Sequence, residues 1–165
     1  MKHTLISATG LAFLLSWTQP APTQDLASQL VGVWMFTSQS TKELATGKIN
    51  HPFGEKPTGH FVYTKGGHAV FVLAGDNRKA PAGATATDDE RINLFNTMAA
   101  ASGTYKVEGN TIIAAYTASW NQTWTGITQK RQFEIVGNKL TVTSAPTKDL
   151  AGQDIVFVVT YERVE

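Results

Sequence analysis

Apolar and polar side chains alternate with a period of two along most of the chain beyond residue 28, and this pattern constrains the fold most strongly. In segment 128–135, the odd-numbered side chains share one face of an extended chain and the even-numbered side chains share the other. Such alternation is typical of β-strands that cover a core with one face. Segments containing Gly and Asn interrupt the pattern, as expected for antiparallel strands joined by tight turns. The sequence therefore predicts an all-β sandwich or barrel.

About eight strands are expected from this pattern. Eight antiparallel strands can close into a barrel that is just wide enough to hold one small ligand. We therefore predict an all-β fold, an antiparallel barrel of about eight strands with one short helix. The predicted strands cover residues 29–38, 59–64, 67–73, 104–108, 111–119, 127–136, 139–144 and 153–164.

Two Gly-Asn dipeptides, Gly109-Asn110 and Gly137-Asn138, lie between predicted strands. Dipeptides of this kind suit two-residue hairpin turns. A two-residue turn at Gly137-Asn138 sets the register of the strands on either side. The predicted pairs are Ile135 with Leu140, Phe133 with Val142, and Arg131 with Ser144.

One helix is expected between the third and fourth strands. Thr87-Asp88-Asp89-Glu90 has the form of a capping box, and its acidic residues suit the positive end of a helix dipole. Segment 91–101 would form the helix, with Ile92, Phe95 and Met98 on one stripe, and Ser102-Gly103 would end it.

A further hairpin is predicted at Lys65-Gly66, where a two-residue turn would pair Tyr63 with His68. The two side chains would then lie side by side on one face, with His60 on the opposite face. A neutral imidazole beside a phenol can relay a proton or bind a carbonyl group. Alternatively, the pair forms a hydrogen bond in the barrel wall. Tyr63 and His68 are therefore candidate catalytic residues and candidate ligand contacts.

The first 24 residues are typical of a secretory signal peptide, because a short basic start precedes a mostly apolar segment, 4–17. Ala21 is followed by Pro22, which leaves the cleavage position open. The alternative is an amphipathic or disordered extension. No later segment is long and apolar enough to span a bilayer. We therefore expect an exported protein, periplasmic or secreted, whose barrel domain covers residues 28–164.

Charge and cysteine content exclude several functions. The chain has 14 Lys and Arg against 13 Asp and Glu, and removal of residues 1–24 takes away only Lys2, which leaves the charges balanced. Balanced charge argues against nucleic-acid binding and against attraction to anionic membranes. The absence of Cys excludes disulfides and thiolate ligands. The His residues lack metal-ligand spacing, so we expect no metal and no cofactor. The oligomeric state stays open.

Arg131 lies on an otherwise apolar strand face, where an unpaired charge is costly to bury. Its partner could be a ligand carboxylate or phenolate, an internal glutamate, or the ring of Trp34. Aromatic side chains gather near the end of the fifth predicted strand and would provide apolar walls with polar tips. Ordinary core packing is the alternative for them. The candidate ligand contacts are Tyr63, His68, Tyr105, Tyr116, Trp120, Trp124 and Arg131.

Several motifs are spread along the chain, beginning with Gly32-Val33-Trp34 on the first predicted strand and Arg163 on the last. The segment His51-Pro52-Phe53-Gly54-Glu55 is more specific, and in this loop His51 and Phe53 could form a lid or a structural plug. Further motifs follow in order: Tyr63-Thr64, Gly67-His68, Gly103-Thr104-Tyr105, Trp124-x-Gly126 and Arg131-x-Phe133-Glu134. Together they resemble the lipocalin-like domain family of bacterial and fungal proteins, over roughly residues 28–164. Gly32-Val33-Trp34 resembles the Gly-x-Trp of lipocalins, and Arg163 resembles the Arg that packs over that Trp.

The resemblance implies a calyx-shaped barrel with a central cavity. Some barrels of this kind bind hydrophobic molecules, and others cyclise or isomerise a bound polyketide or terpenoid. Many members carry a His-His or His-x-x-Glu pattern where this chain has Ile113-Ala114-Ala115-Tyr116. Chemistry that depends on those groups is therefore not expected here.

The leading functional prediction is the binding of a small, mostly apolar ligand inside the barrel. The alternative is a cyclase or isomerase acting on a polyketide-like or terpenoid-like substrate in the same cavity. In that case Tyr63 or His68 would act as general acid or base, and Arg131 would stabilise developing negative charge. A third possibility is a structural protein whose barrel is filled by its own side chains.

Overall fold

Antiparallel strands wrap into a closed barrel in the computed structural model, which describes residues 25–76, 78–149 and 152–165. The helices are α1 (Leu26–Leu30) and α2 (Asp88–Asn96), and a 3₁₀ turn covers Gln122–Trp124. The strands are β1 (Gly32–Glu43), β2 (Ile49–Asn50), β3 (Thr58–Tyr63), β4 (His68–Ala74), β5 (Met98–Glu108), β6 (Thr111–Ser119), β7 (Thr128–Val136), β8 (Lys139–Ser144), β9 (Thr147–Lys148) and β10 (Asp154–Arg163).

The barrel closes through a long antiparallel ladder between β1 and β10, in which Trp34 lies opposite Arg163 and Glu43 opposite Ile155. The other long strands follow in the order β1, β3, β4, β5, β6, β7, β8, β10, and the two-residue strands β2 and β9 extend the rim. Closure removes the exposed strand edges that an open sheet would leave. The predicted eight-stranded antiparallel barrel with one short helix between β4 and β5 is confirmed.

The two Gly-Asn turns are also confirmed. Glu108 pairs with Thr111 across Gly109-Asn110, and Val136 pairs with Lys139 across Gly137-Asn138. Along β7 and β8 the predicted register holds at each of the three positions: Ile135 with Leu140, Phe133 with Val142, and Arg131 with Ser144.

The predicted helix over 91–101 is wrong at its C-terminal half. The capping box forms, since the Thr87 side chain accepts from the Glu90 N–H and the Glu90 side chain accepts from the Thr87 N–H. The helix ends at Asn96, however, and residues 98–101 belong to β5. Their pairing with β4 buries Ala99 and Ala101 in the barrel while Phe95 stays partly exposed. The antiparallel ladder with β4 pairs the backbone N–H and C=O groups of residues 98–101, and this pairing outweighs the helical pattern of their side chains.

The first strand also differs from its prediction. Residues 29 and 30 belong to α1, and β1 runs to Glu43, five residues beyond the predicted end at residue 38. A β-bulge between Phe36 and Ser38 shifts the register by one residue. The inward-facing positions are therefore Trp34 and Phe36 before the bulge and Gln39 after it.

Trp34 anchors the closed end of the barrel and has no exposed surface. Its Nε1 donates to the Leu30 carbonyl at 2.8 Å, and the Arg163 guanidinium lies 4.1 Å from the centre of its ring. Arg163 also donates to the carbonyls of Val31 and Gln29. Gly32 has φ +138°, and a Cβ there would lie 2.3 Å from the Glu165 carbonyl oxygen, so only glycine suits this approach. The stacking role predicted for Arg163 is confirmed.

The predicted signal peptide, residues 1–24, lies outside the described residues. Within the described part of the chain, neither the length nor the apolarity of any helix suffices to cross a membrane.

Candidate ligand-binding cavity

A cavity of about 270 Å³ lies inside the barrel on the side away from Trp34. Its wall is mostly aromatic and aliphatic, and it comes from the inward faces of the strands, from the loop before β3 and from the 3₁₀ turn. The lining residues are Phe36, Gln39, Pro52, Phe53, Phe61, Phe71, Leu73, Ala99, Trp120, Trp124, Arg131, Phe157, Val159 and Tyr161.

Two tryptophans form one side of the cavity. The rings of Trp120 and Trp124 meet edge to face with centroids 4.7 Å apart, and Trp124 lies 6.3 Å from the ring of Tyr116. The Trp120 Nε1 donates to the Phe95 carbonyl at 3.2 Å. This bond ties the end of α2 to Trp120 in the cavity wall, although α2 itself has no buried residue.

The loop that carries Phe53 is shaped by Asp76. The Asp76 N–H donates to the Phe53 carbonyl at 3.1 Å, and the Asp76 carboxylate accepts from the Lys56 N–H at 2.9 Å. Gly54 has φ +80°, and a Cβ there would overlap the Asp76 carboxylate. Phe53 thereby contributes to the cavity wall. This position is consistent with both predicted roles of the loop, a lid and a structural plug.

The predicted pairing of Tyr63 with His68 is wrong. Tyr63 pairs with Ala69, and His68 lies opposite Thr64 across the three-residue loop Lys65-Gly66-Gly67. Gly67 has φ +78°, which is the conformation that closes a three-residue hairpin loop. One additional loop residue reverses the face of every side chain on one strand relative to the other. Tyr63 therefore points into the barrel and His68 is exposed.

The correction removes His68 from the cavity and with it the proton relay expected from the sequence. His60 was expected on the opposite face from His68, but both side chains are exposed on the outside of the barrel. In the described residues, no group of three or more His, Asp or Glu side chains could hold a metal ion.

Arg131 is the charged side chain in the cavity wall. It donates to the side-chain oxygen of Gln129, its neighbour on the same face of β7. Of the alternatives raised for it, the ring of Trp34 is taken by Arg163. The ion pairs that form within the described residues do not include Arg131. Its charge therefore faces the cavity without a carboxylate partner there.

Three buried tyrosines interact electrostatically with this charge. Burial raises the pKa of Tyr63, Tyr116 and Tyr161, and the positive charge of Arg131 opposes that increase in each of them. The loss of hydration is the largest cause in all three. The hydroxyls stay protonated near neutral pH and can therefore donate hydrogen bonds.

We expect the barrel to lose stability cooperatively at high pH. The folded pKa of these tyrosines lies above the unfolded value of about 10, so their contribution is complete below about pH 10 and is lost as the pH rises through the folded values. In that range, each of the three tyrosines lowers the free energy of unfolding by up to about 1.4 kcal/mol per pH unit. As the pH rises, tyrosinate absorbance and near-UV circular dichroism should change together in one transition. In Tyr161→Phe this transition should depend less steeply on pH, because one tyrosine fewer titrates. Full tyrosine titration of a barrel that stays folded would contradict this expectation.

Gln39 is a site residue that the sequence reasoning missed. The side chain is 5% exposed and lines the cavity, and its Oε1 has no hydrogen-bond donor among the described residues. Strict alternation from Trp34 would place residue 39 outside, and only the bulge after Phe36 turns it inward. A polar residue in an apolar strand was the available signal, but its face could not be assigned without the bulge.

Replacing Gln39 should stabilise the empty protein. An unsatisfied buried polar group costs about 1–3 kcal/mol, and Gln39→Met keeps the length of the side chain while removing the amide. We expect the free energy of unfolding in denaturant to increase by about 1 kcal/mol. Gln132→Met, an exposed position on β7, is the control and should change stability by less than about 0.5 kcal/mol. A clear loss of stability in Gln39→Met would show that Oε1 is satisfied.

The predicted contacts divide into four groups. Trp120, Trp124 and Arg131 line the cavity, and Tyr63 and Tyr116 are buried beside it. Tyr105 packs on Tyr63 with ring centroids 4.9 Å apart and donates to the Thr64 carbonyl at 2.9 Å, away from the cavity wall. His68 lies outside. The lining side chains not foreseen are Phe36, Gln39, Phe61, Phe71, Leu73, Ala99, Phe157, Val159 and Tyr161.

The family model for the lipocalin-like domain matches residues 31–164 of this chain. The match begins just before Gly32 and ends just after Arg163, so it includes Gly32, Trp34, Arg163 and the complete set of long strands. A search of curated protein sequences finds no match.

Proposed function

The chain belongs to the lipocalin-like domain family, and we propose that it binds one small, mostly apolar molecule inside its barrel. The observation that carries this proposal is the cavity of about 270 Å³, walled by aromatic rings and containing few polar groups. Concave, largely apolar sites with a few polar groups are the usual form of small-molecule sites.

The cavity volume limits the size of the ligand. An engineered protein cavity of about 150 Å³ binds benzene, and the cavity here, about 270 Å³, is somewhat less than twice as large. A molecule of about two rings would fit, whereas a long acyl chain would extend out of the opening. Removal of its apolar surface from water at roughly 25 cal/mol per Å² is the driving force.

The composition of the wall favours binding over catalysis. The cyclase or isomerase alternative needs a general acid or base within reach of the substrate. His68 is exposed on the outside, and burial raises the pKa of Tyr63 and Tyr161 away from neutral pH. The ionisable side chains of the wall are therefore suited to donating hydrogen bonds and less suited to exchanging protons at neutral pH.

The proposal is tested by extracting the protein, purified from its native host, with organic solvent and analysing the extract by mass spectrometry. In parallel, the neutral fluorophore N-phenyl-1-naphthylamine is titrated into the extracted protein. A stoichiometric small molecule, or saturable uptake of the fluorophore at one site, is expected. An empty extract together with no uptake would favour a barrel filled by its own side chains and would overturn the proposal.

We further propose that the protein is exported, on the basis of the basic start and apolar run in residues 1–24. Fractionation of the native host with N-terminal sequencing tests this proposal. A shortened chain in the periplasm or the medium is expected, and a full-length chain in the cytoplasm would contradict it.

A further inference from the structure

We propose that the cavity selects an anionic ligand, a compact aromatic carboxylate whose carboxylate faces Arg131. This inference rests on the proposed function and adds the chemical class of the ligand. It is carried by the position of the Arg131 side chain and Tyr161 in the cavity wall, with Tyr63 and Tyr116 buried beside the cavity.

Arg131 brings a positive charge to the cavity wall. Its half-buried side chain lines an aromatic cavity, and its hydrogen bond to Gln129 uses one nitrogen of the guanidinium. A guanidinium carries five N–H donors. In the described residues Arg131 forms no ion pair. The remaining donors are available to an acceptor inside the cavity.

The tyrosine hydroxyls add donors beside this charge. Tyr63, Tyr116 and Tyr161 are all buried, and each interacts electrostatically with Arg131. Among the hydrogen bonds of the described residues, none involves these three hydroxyls. A tyrosine hydroxyl without a protein partner can donate to a ligand. A group that accepts several hydrogen bonds and carries negative charge complements this set of donors.

A carboxylate fits the site better than other anions. The site offers one positive charge, which matches a monoanion, and the planar fork of a guanidinium matches the two oxygens of a carboxylate. The cavity wall also contains the rings of Phe36, Phe61, Phe71 and the two tryptophans. Aromatic rings pack favourably against one another in offset and edge-to-face arrangements, so the body of the ligand is expected to be aromatic and, from the volume, about two fused rings.

The test compares two ligands of nearly equal shape, 2-naphthoate and 2-naphthamide, by isothermal titration calorimetry at neutral pH. We expect the wild-type protein to bind the carboxylate at least about tenfold more tightly than the amide. In Arg131→Gln the two affinities should agree within about twofold. Lys130→Gln is the matched control, because it removes the same charge from the adjacent, outward-facing position of β7, and it should keep the wild-type preference.

The outcomes separate this inference from the proposed function. If the wild type binds both ligands equally, the carboxylate inference is overturned and binding of apolar molecules stands. A preference that persists in Arg131→Gln would also overturn it. Failure of both ligands and of N-phenyl-1-naphthylamine to bind would overturn the proposed function itself. If Arg131→Gln does not fold, the wild-type comparison still decides, and Tyr161→Phe should reduce the preference several-fold.

Discussion

Ala99→Phe should abolish ligand binding while leaving the barrel folded. Ala99 is 3% exposed, faces inward from β5 and lines the cavity. A phenyl ring is about the size of the benzene that a cavity of about 150 Å³ holds, so it would fill a large part of the space of about 270 Å³. We expect the affinity for N-phenyl-1-naphthylamine to fall by at least about 100-fold, measured by fluorescence titration.

The stability of Ala99→Phe should change little, because the new ring enters open space and does not displace packed atoms. Ala100→Phe is the matched control. Ala100 is the next residue on β5, pairs with the exposed Val72 of β4 and points out of the barrel. The control should bind the fluorophore as the wild type does. Unchanged binding in Ala99→Phe would place the ligand somewhere other than this cavity.

Trp34→Ala should strongly destabilise the barrel. The side chain has no exposed surface, donates to the Leu30 carbonyl and stacks under Arg163. Truncation of a buried Trp costs about 3–5 kcal/mol, and the guanidinium of Arg163 loses its aromatic partner as well. We expect the midpoint of thermal unfolding to fall by roughly 10 °C or more, measured by circular dichroism.

Two variants show where this loss comes from. Met35→Ala changes the adjacent, partly exposed residue of β1 and should cost less than about 1 kcal/mol. Trp34→Phe keeps an aromatic ring under Arg163 but lacks the N–H donor, so its stability should lie between those of wild type and Trp34→Ala. Equal stability of Trp34→Ala and Met35→Ala would contradict the anchoring role of Trp34.

Local signals were sufficient wherever the register depends on a two-residue turn. The pairing of Ile135 with Leu140 and of Phe133 with Val142 follows from Gly137-Asn138 and from alternation alone. Both signals lie within a few residues of the pairs that they determine. The capping box at Thr87 is equally local, and it forms as predicted.

Local signals failed where two structures compete for the same residues. Residues 98–101 continue a helical pattern, but the β4 ladder takes them because it pairs the backbone and buries Ala99 and Ala101. The hairpin after Tyr63 could close with two or with three loop residues, and these alternatives place His68 on opposite faces. The local sequence does not decide between helix and strand at residues 98–101, or between two and three loop residues after Tyr63.

The sequence by itself determined the all-β class, the number of long strands and most of their positions, since alternation, turn residues and capping act over a few neighbouring residues. Its motifs indicated the family. The tertiary structure alone decided the content of the cavity. A bulge after Phe36 turned Gln39 inward, a three-residue loop turned His68 outward, and barrel closure placed Arg131 and Tyr161 in the wall of one cavity. A shift of one residue reverses the face of a strand, and contacts between distant strands depend on every such shift along the chain.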